Sequence, residues 1–329
     1  MTMQKIRWGI LGCGKIARKF ASDLKLVEHA SLVAVASRDE PRAKEFAKTY
    51  NAEIALSSYE ALVESDNVDV IYIATPHGFH HEHTLLCLNN KKAVLCEKAF
   101  ALNSAQVKEM IAVSRANKVF LMEAFWTKFL PQYNKVTELI NNGAIGTVKM
   151  IQADFGFRAE QPTPQRLYDP KLGGGALLDI GIYPVFLAVS LLGRPDDVQA
   201  VMSPYPSGVD EQISAVLRFN GGALALASAT FAATTPVEAT IVGTEGYIRM
   251  INRFHNPVSH IELVKEDVSQ PVDVHREEGF GYQFQARHVG DCLRQKLIES
   301  PIMSLEDSLL LMETMDRIRA KCQIRYEVD

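Results

Sequence analysis

Ile6-Arg7-Trp8-Gly9-Ile10-Leu11 runs directly into Gly12-Cys13-Gly14-Lys15-Ile16-Ala17 and then into a series of helix-forming residues. An apolar strand that feeds a glycine turn and a helix leaves the first backbone N–H groups of that helix pointing outward, and phosphate is attracted there. The spacing is G-x-G-x-x-A. Gly12 permits the tight turn, Gly14 allows the backbone to approach a pyrophosphate, and Ala17 lets the helix lie close to the strand. Three small residues at this spacing also arise in ordinary turns, so their position directly after a strand decides the reading. It predicts dinucleotide binding, with Gly12, Gly14, Lys15 and Ile16 at the phosphates.

Strand and helix alternate through the first half. Phe20 and Leu24 lie at helical spacing within residues 16–26, Leu32-Val33-Ala34-Val35-Ala36 reads as a fully buried strand, and a second helix spans 40–50. A further helix at 59–64, a strand at 68–74, a helix at 81–90, a strand at 93–96, a helix at 104–116 and a strand at 119–122 follow. Such alternation predicts an α/β fold with a doubly wound, Rossmann-type parallel sheet covered on both faces, occupying residues 1–123.

Composition excludes several alternatives. A length of 329 residues is enough for about two domains, and 47% hydrophobic with 22% charged residues is ordinary for a globular chain. The formal charge of -4, with no Lys/Arg run, argues against nucleic-acid and membrane surfaces. Met1–Lys5 lacks an apolar leader, and no apolar stretch approaches the roughly 18 residues of a spanning helix. A cytoplasmic protein is expected. The five cysteines, Cys13, Cys87, Cys96, Cys292 and Cys322, are odd in number without C-x-x-C spacing, so reduced thiols are expected rather than a disulfide framework or thiolate zinc site.

The end of the second strand bears on the coenzyme. Asp or Glu there holds a ribose 2'-hydroxyl, whereas a nearby Arg accommodates a 2'-phosphate. The chain reads Ser37-Arg38-Asp39-Glu40-Pro41-Arg42, in which Asp39 sits two residues late and suits the N-cap of the helix entered through Pro41. Arg42 falls in that helix's first turn, where the macrodipole disfavours a cation by about 0.3–1 kcal/mol. A phosphate between Arg38 and Arg42 reverses that penalty. NADP is therefore expected over NAD, with Ser37, Arg38 and Arg42 as contacts, against the alternative of two solvated arginines.

Ligands of doubly wound sheets gather at the carboxyl ends of strands, which places Thr75, Pro76 and His80 beside the coenzyme. Four histidines fall among His77, His80, His81 and His83, but the run crosses from loop into helix and lacks a rigid shared ligand face. No metal is expected.

The second half changes character. Alternating segments at 146–157, 198–202, 212–219, 223–231, 237–242, 246–251, 260–264 and 272–275, punctuated by Asn220-Gly221-Gly222 and Gly243-Thr244-Glu245-Gly246, predict a large, open, mainly antiparallel sheet in an α+β domain over 124–329. A helix at 306–320, N-capped by Ser304 with Asp307 in its first turns, closes it. Within this half lies Gly173-Gly174-Gly175-Ala176-Leu177-Leu178-Asp179-Ile180-Gly181-Ile182-Tyr183-Pro184. The glycines permit close backbone approach to a ligand. Asp179 and Tyr183 are four apart and share a helical face, although Pro184 is expected to kink it. An aspartate amid leucine and isoleucine needs a partner.

At the fourth strand end, Cys96-Glu97-Lys98-Ala99 sets two charges where packing alone does not want them. Here the chain resembles the glucose-fructose oxidoreductase, inositol dehydrogenase and MocA (Gfo/Idh/MocA) superfamily, which carries Glu-Lys-Pro at this place. It is most similar to the branch of dimeric dihydrodiol dehydrogenases and NADP-dependent xylose dehydrogenases. Nearly the whole chain is covered, and Glu123-Ala124-Phe125-Trp126-Thr127-Lys128-Phe129-Leu130-Pro131 also matches. Ala99 replaces the proline, which bears on the loop conformation more than on the lysine.

The resemblance implies that Lys98 hydrogen-bonds the reacting hydroxyl or the nicotinamide ribose, and that Glu97 and Lys98 both belong to the coenzyme site. The superfamily often has His where Tyr183 stands, whereas this branch has Tyr, so Tyr183 takes the acid-base role and Asp179 orients substrate or Lys98. Trp126, Phe157, Arg158 and Asp179 are the candidate substrate contacts. Phe155, Phe254 and Phe280 are further aromatic candidates for the pocket wall, although core packing is the commoner role for such residues. A free phenol has a pKa near about 10, so the Lys98 cation and the positive nicotinamide must lower it. The implied activity is hydride transfer between NADP and a sugar or trans-dihydrodiol, in a homodimer formed through the sheet of the second domain. The alternatives are an NAD-linked polyol or inositol dehydrogenase, and a non-catalytic dinucleotide-binding regulator on the same fold.

Overall fold

The computed structural model describes residues 4–160 and 164–329, which form two compact units. Of the amino-terminal segment read for a leader, only Gln4 and Lys5 fall among the described residues.

The first unit is built from β1 (Ile6–Leu11), α1 (Lys15–Leu24), β2 (Ala30–Ala36), α2 (Glu40–Tyr50), β3 (Ile54–Leu56), α3 (Tyr59–Glu64), β4 (Val70–Ile73), α4 (His80–Asn89), β5 (Ala93–Glu97), α5 (Ser104–Asn117) and β6 (Leu121–Ala124). All strand pairs are parallel, in the order β3-β2-β1-β4-β5-β6. This is the doubly wound order with its topological switch between β1 and β4. The central strands are buried along both faces, which is why they read as continuous apolar runs. Trp8, Phe20 and Tyr72 fill one layer, with Phe20 stacked on Tyr72 at 3.8 Å between ring centroids. The short β3, with half-buried residues and no alternation, is absent from the sequence reading.

The second unit holds α6 (Pro131–Asn141), β7 (Val148–Gly156), α7 (Ile182–Leu192), β8 (Pro195–Pro204), β9 (Asp210–Phe219), β10 (Leu224–Thr230), β11 (Ala239–Gly243), β12 (Gly246–Ile251), β13 (His260–Lys265) and β14 (Val268–Val272). The eight strands run in the order β14-β13-β12-β11-β7-β10-β9-β8. Only the β7–β10 pair is parallel. α7 packs against β7 and β10, and Gly181 lets the chain approach closely, since a Cβ there would stand 3.1 Å from that of Ala229.

Two expectations need correction in this unit. The last strand lies at Val268–Val272 rather than 272–275, because Glu266 and Asp267 both take positive φ (47° and 61°) and turn the hairpin four residues early. That is the backbone of a two-residue type I' turn, which Asn-Gly or Asp-Gly signals and Glu-Asp does not. A long apolar segment also exists. The helical run Pro170–Leu192 has the length and hydropathy of a membrane span, but 78% of its most apolar window is buried inside the unit. Gly173-Gly174-Gly175, Asp179 and Pro184 interrupt the run and conceal its length in the sequence.

The carboxyl-terminal quarter holds α8 (Tyr282–Arg294) and α9 (Leu305–Cys322). The first unit runs past residue 123 to Phe129 and also takes in Glu277–Ser308. Asp23 is one of the ties that hold that return. This buried α1 carboxylate accepts the backbone N–H groups of Phe280 (2.9 Å) and Tyr282 (2.8 Å), capping α8 from a residue over 250 positions away. α9 is capped as expected: Asp307 N–H donates to Ser304 Oγ (3.1 Å) and Ser304 N–H to the Asp307 carboxylate (3.3 Å).

Candidate active site

The coenzyme-facing edge of the first unit is the set of strand carboxyl ends. α1 begins at Lys15 with Gly14 as N-cap; no side chain caps it and no acidic residue stands in its first turn. Its N–H groups thus keep their attraction for an anion. Gly12 has φ +96°, and a Cβ there would meet Thr75 Cγ2 at 3.0 Å and the Ala74 carbonyl oxygen at 3.1 Å. Only glycine serves. The glycine turn beside the β1/β4 switch, with an uncapped helix behind it, fits the pyrophosphate of a dinucleotide.

At the end of β2, Asp39 caps α2 by accepting the Arg42 N–H (3.1 Å), with Pro41 in the first turn, as expected. Its carboxylate also lies 3.5 Å from the Arg42 guanidinium, so Asp39 offsets part of the penalty expected at that helix terminus. Ser37 Oγ accepts the Asp39 N–H, and the Arg38 guanidinium lies over the Phe79 ring at 5.6 Å. Both arginines belong to the strand end where a ribose phosphate is read.

The histidine run resolves into separate structural roles. His80 is fully buried, with Nδ1 2.7 Å from the Ala99 carbonyl and Nε2 2.8 Å from that of Thr75. Burial pushes its pKa down to about 4. The ring ties the end of β4 to the turn after Lys98 and does not project from that frame. His83 contacts Thr75 Oγ1 at 3.0 Å and His81 faces Glu109 at 2.9 Å. Among the described residues no group of three or more His, Cys, Asp or Glu side chains could hold a metal ion. Glu97 turns inward to the Tyr72 hydroxyl. Lys98 follows it, joined to Ala99 by a cis peptide bond. Trp126 is buried and stacks on Tyr282 at 4.8 Å with 4° between the rings.

Asp179, Tyr183, Phe157 and Arg158 belong to the second unit. Asp179 lies on a π turn, Leu177–Gly181, that leads into α7. Widening to a π turn absorbs the missing N–H of Pro184 where a kink was expected. Asp179 does have a partner, Arg166, at 3.1 Å. Tyr183 is buried, with His255 at 4.5 Å and Phe155 at 5.8 Å between centroids, and His255 also stacks on Phe155 at 4.4 Å. Phe157 packs on Phe231 at 5.2 Å and Arg158 is exposed. Of the remaining aromatic candidates, Phe254 is core and Phe280 is 48% exposed.

Within the glycine triplet, expected to admit a ligand, Gly175 also lies against the chain's own Asp210. Gly175 has φ +117°, and a Cβ on it would lie 2.4 Å from Asp210 Oδ1. Asp210, fully buried, accepts the Leu177 N–H at 2.6 Å and so caps the π turn. Burial raises its pKa to about 7. Asp210→Ala removes this cap and is expected to cost about 1–2 kcal/mol, read as a lower unfolding midpoint. Asp210, Arg166 and His255 were invisible to sequence reading, because nothing local relates them to Asp179 or Tyr183.

Residues 6–125 match the oxidoreductase family with an NAD-binding Rossmann fold, and residues 133–249 match the GFO/IDH/MocA C-terminal domain. The chain is 41% identical to a trans-1,2-dihydrobenzene-1,2-diol dehydrogenase of Xenopus tropicalis over 97% of this chain and 99% of that protein. It is 34% identical to the Homo sapiens enzyme of that name over 98% and 99%. Among solved structures it is similar to KijD10, a 3-ketoreductase from Actinomadura kijaniata in complex with NADP (TM-score 0.87, 28% identity, 97% and 98% covered). It is also similar to an aldose-aldose oxidoreductase from Caulobacter crescentus (TM-score 0.90, 25% identity, 97% and 98% covered). Both halves therefore carry the same assignment that the glycine turn and the Glu97-Lys98 strand end suggested: the chain belongs to the Gfo/Idh/MocA family of NAD(P)-dependent oxidoreductases.

Proposed function

We propose that this enzyme is NADP-linked and moves hydride between the nicotinamide and a hydroxyl or carbonyl carbon of an aldose or a trans-dihydrodiol. Full-length similarity to dihydrodiol dehydrogenases carries the reading, and similarity to the aldose-aldose oxidoreductase extends the substrate class to aldoses. When bound, the coenzyme supplies the hydride. The chain's own residues supply the rest. Tyr183 Oη gives a proton to the carbonyl oxygen in reduction and takes one from the alcohol in oxidation. Lys98 donates a hydrogen bond to the same oxygen and favours the tyrosinate through its charge. Asp179, held by Arg166, accepts from a neighbouring substrate hydroxyl.

Steady-state rates over a panel of aldoses and trans-dihydrodiols, with NADP and NAD in both oxidation states, test the proposal. Turnover of one class with NADP preferred is expected; absence of turnover with either class, or preference for NAD, overturns it. Arg38→Ala is expected to raise the KM for NADPH about tenfold and leave that for NADH unchanged, because loss of one charge-assisted bond to a phosphate costs about 1.5 kcal/mol.

We also place a homodimer contact on the open face of the eight-stranded sheet. There β8, β9 and β10 expose Val201, Val216, Leu224 and Leu226, with Leu226 paired to Val216. Such a contiguous apolar row is the kind of patch that marks an interface. Sedimentation of wild type and of Val216→Lys with Leu226→Lys tests it: a dimer that becomes a monomer is expected.

A further inference from the structure

Two carboxylic acids lie buried at the strand end that carries Lys98, and the proposed chemistry uses neither. Glu97 is the last residue of β5, and the neighbouring β6 sets Glu123 opposite Cys96 and Ala124 opposite Glu97. Side chains alternate across a sheet, so Glu97 and Glu123 leave opposite faces of it. On one face the Tyr72 hydroxyl donates a hydrogen bond to Glu97. On the other, the Phe100 N–H and the Ser308 hydroxyl face Glu123, yet both its oxygens fall short of a formed hydrogen bond although only 1% of the residue is exposed. A buried acid in that condition is costly and calls for an explanation.

We propose that Glu97 and Glu123 are positioning residues for Lys98: they brace the Glu97-Lys98-Ala99-Phe100 turn from opposite faces of the sheet and set buried carboxyl groups behind the Lys98 side chain. The inference rests on the role given to Lys98 above. Tyr72 of β4, Cys96 and Lys98 at the end of β5, Cys87 and His80 of α4, Tyr282 of α8 and the Ser308 hydroxyl are the groups that face this cluster. Both ring nitrogens of His80 are committed to the carbonyl oxygens of Ala99 and Thr75, which ties it to the frame of the turn.

Burial raises Glu97 to about 7 and Glu123 to about 8, with the charge of Glu97 adding to the rise at Glu123 and Lys98 opposing both. An ordinary glutamate titrates near about 4.3. Both acids therefore exchange protons in the neutral range, and the countercharge behind Lys98 grows as the pH rises through it.

The test compares wild type with Glu97→Gln, Glu123→Gln and Lys98→Met in two measurements. In pH profiles of kcat/KM, each glutamine variant is expected to move the alkaline limb down by about one unit, the effect of losing one opposite charge nearby. Its coenzyme KM stays within about twofold and kcat falls about tenfold, as for a slightly misplaced catalytic group. Variants that lose rate with an unmoved limb, or that behave as wild type while Lys98→Met is inactive, overturn the inference and leave the functional reading standing. Lys98→Met with wild-type kcat overturns both.

The second measurement needs no glutamine variant to fold. With Asp210→Asn in place, which removes the other buried acid that titrates at about 7, the infrared C=O band of protonated carboxyl groups is expected to disappear between pH about 7 and about 8, and to persist to higher pH when Lys98→Met is added. A band lost in the ordinary carboxylate range, or one that Lys98→Met leaves in place, overturns the inference.

Discussion

Tyr183→Phe is expected to lower kcat by about a hundredfold to ten-thousandfold, the range for removing a positioned general acid, with substrate KM nearly unchanged. The substitution deletes one hydroxyl. The ring keeps its packing against His255 and Phe155, so the loss reports chemistry rather than folding. An interaction made only in the transition state lowers kcat and kcat/KM equally, which is the pattern to look for. Wild-type kcat in the variant removes the proton-transfer assignment, and a rise in KM at constant kcat makes Tyr183 a binding group instead.

Arg319→Ala is expected to destabilise the second unit by about 3 kcal/mol, the low end of the range for breaking a buried ion pair. Arg319 is only 5% exposed and bridges Asp316 (2.8 Å) and Asp329 (2.7 Å), the latter also bonded by Asn103 and by the Tyr326 N–H. Burial works against the Asp329 charge, but these bonds prevail and hold its pKa down at about 2. A folded value below the unfolded one contributes stability that is complete above about pH 4 and lost as the pH falls through about 2. Denaturant unfolding of wild type should therefore weaken between pH about 4 and about 2 by on the order of 1 kcal/mol beyond that of Arg319→Ala, the full shift being reduced by solvent screening of the partly exposed Asp329. Parallel acid profiles for the two proteins would refute the assignment.

The legibility of the two units differs for physical reasons. In the first, each strand is short, apolar and followed by its helix, and ligand-facing residues sit at strand ends, so linear order already lays out Gly12, Arg38, Thr75 and Lys98 along one edge. The site in the second unit is assembled from distant segments. Tyr183 stands on α7, His255 on the loop after β12, Phe155 on β7 and Arg166 on a 3-10 turn. Sequence reading found Asp179 and Tyr183 from their spacing and from the family resemblance, and missed the residues that hold them. His80 was found at the right strand end, but its burial between two carbonyl oxygens is not a local property.

The chain alone determined the alternating parallel sheet, the glycine turn, the caps at Asp39 and Ser304 and the family, because each depends on residues within a few positions of one another or on motifs that survive in order. Tertiary structure decided the rest: the return of residues 277–308 to the first unit, the wide turn that carries Asp179, and the burial of two acids behind Lys98. These depend on which groups meet after long loops close and water is expelled. Asp23, Asp210 and Glu123 look like ordinary surface acids in the one-dimensional chain, and only their loss of solvent reveals what they hold.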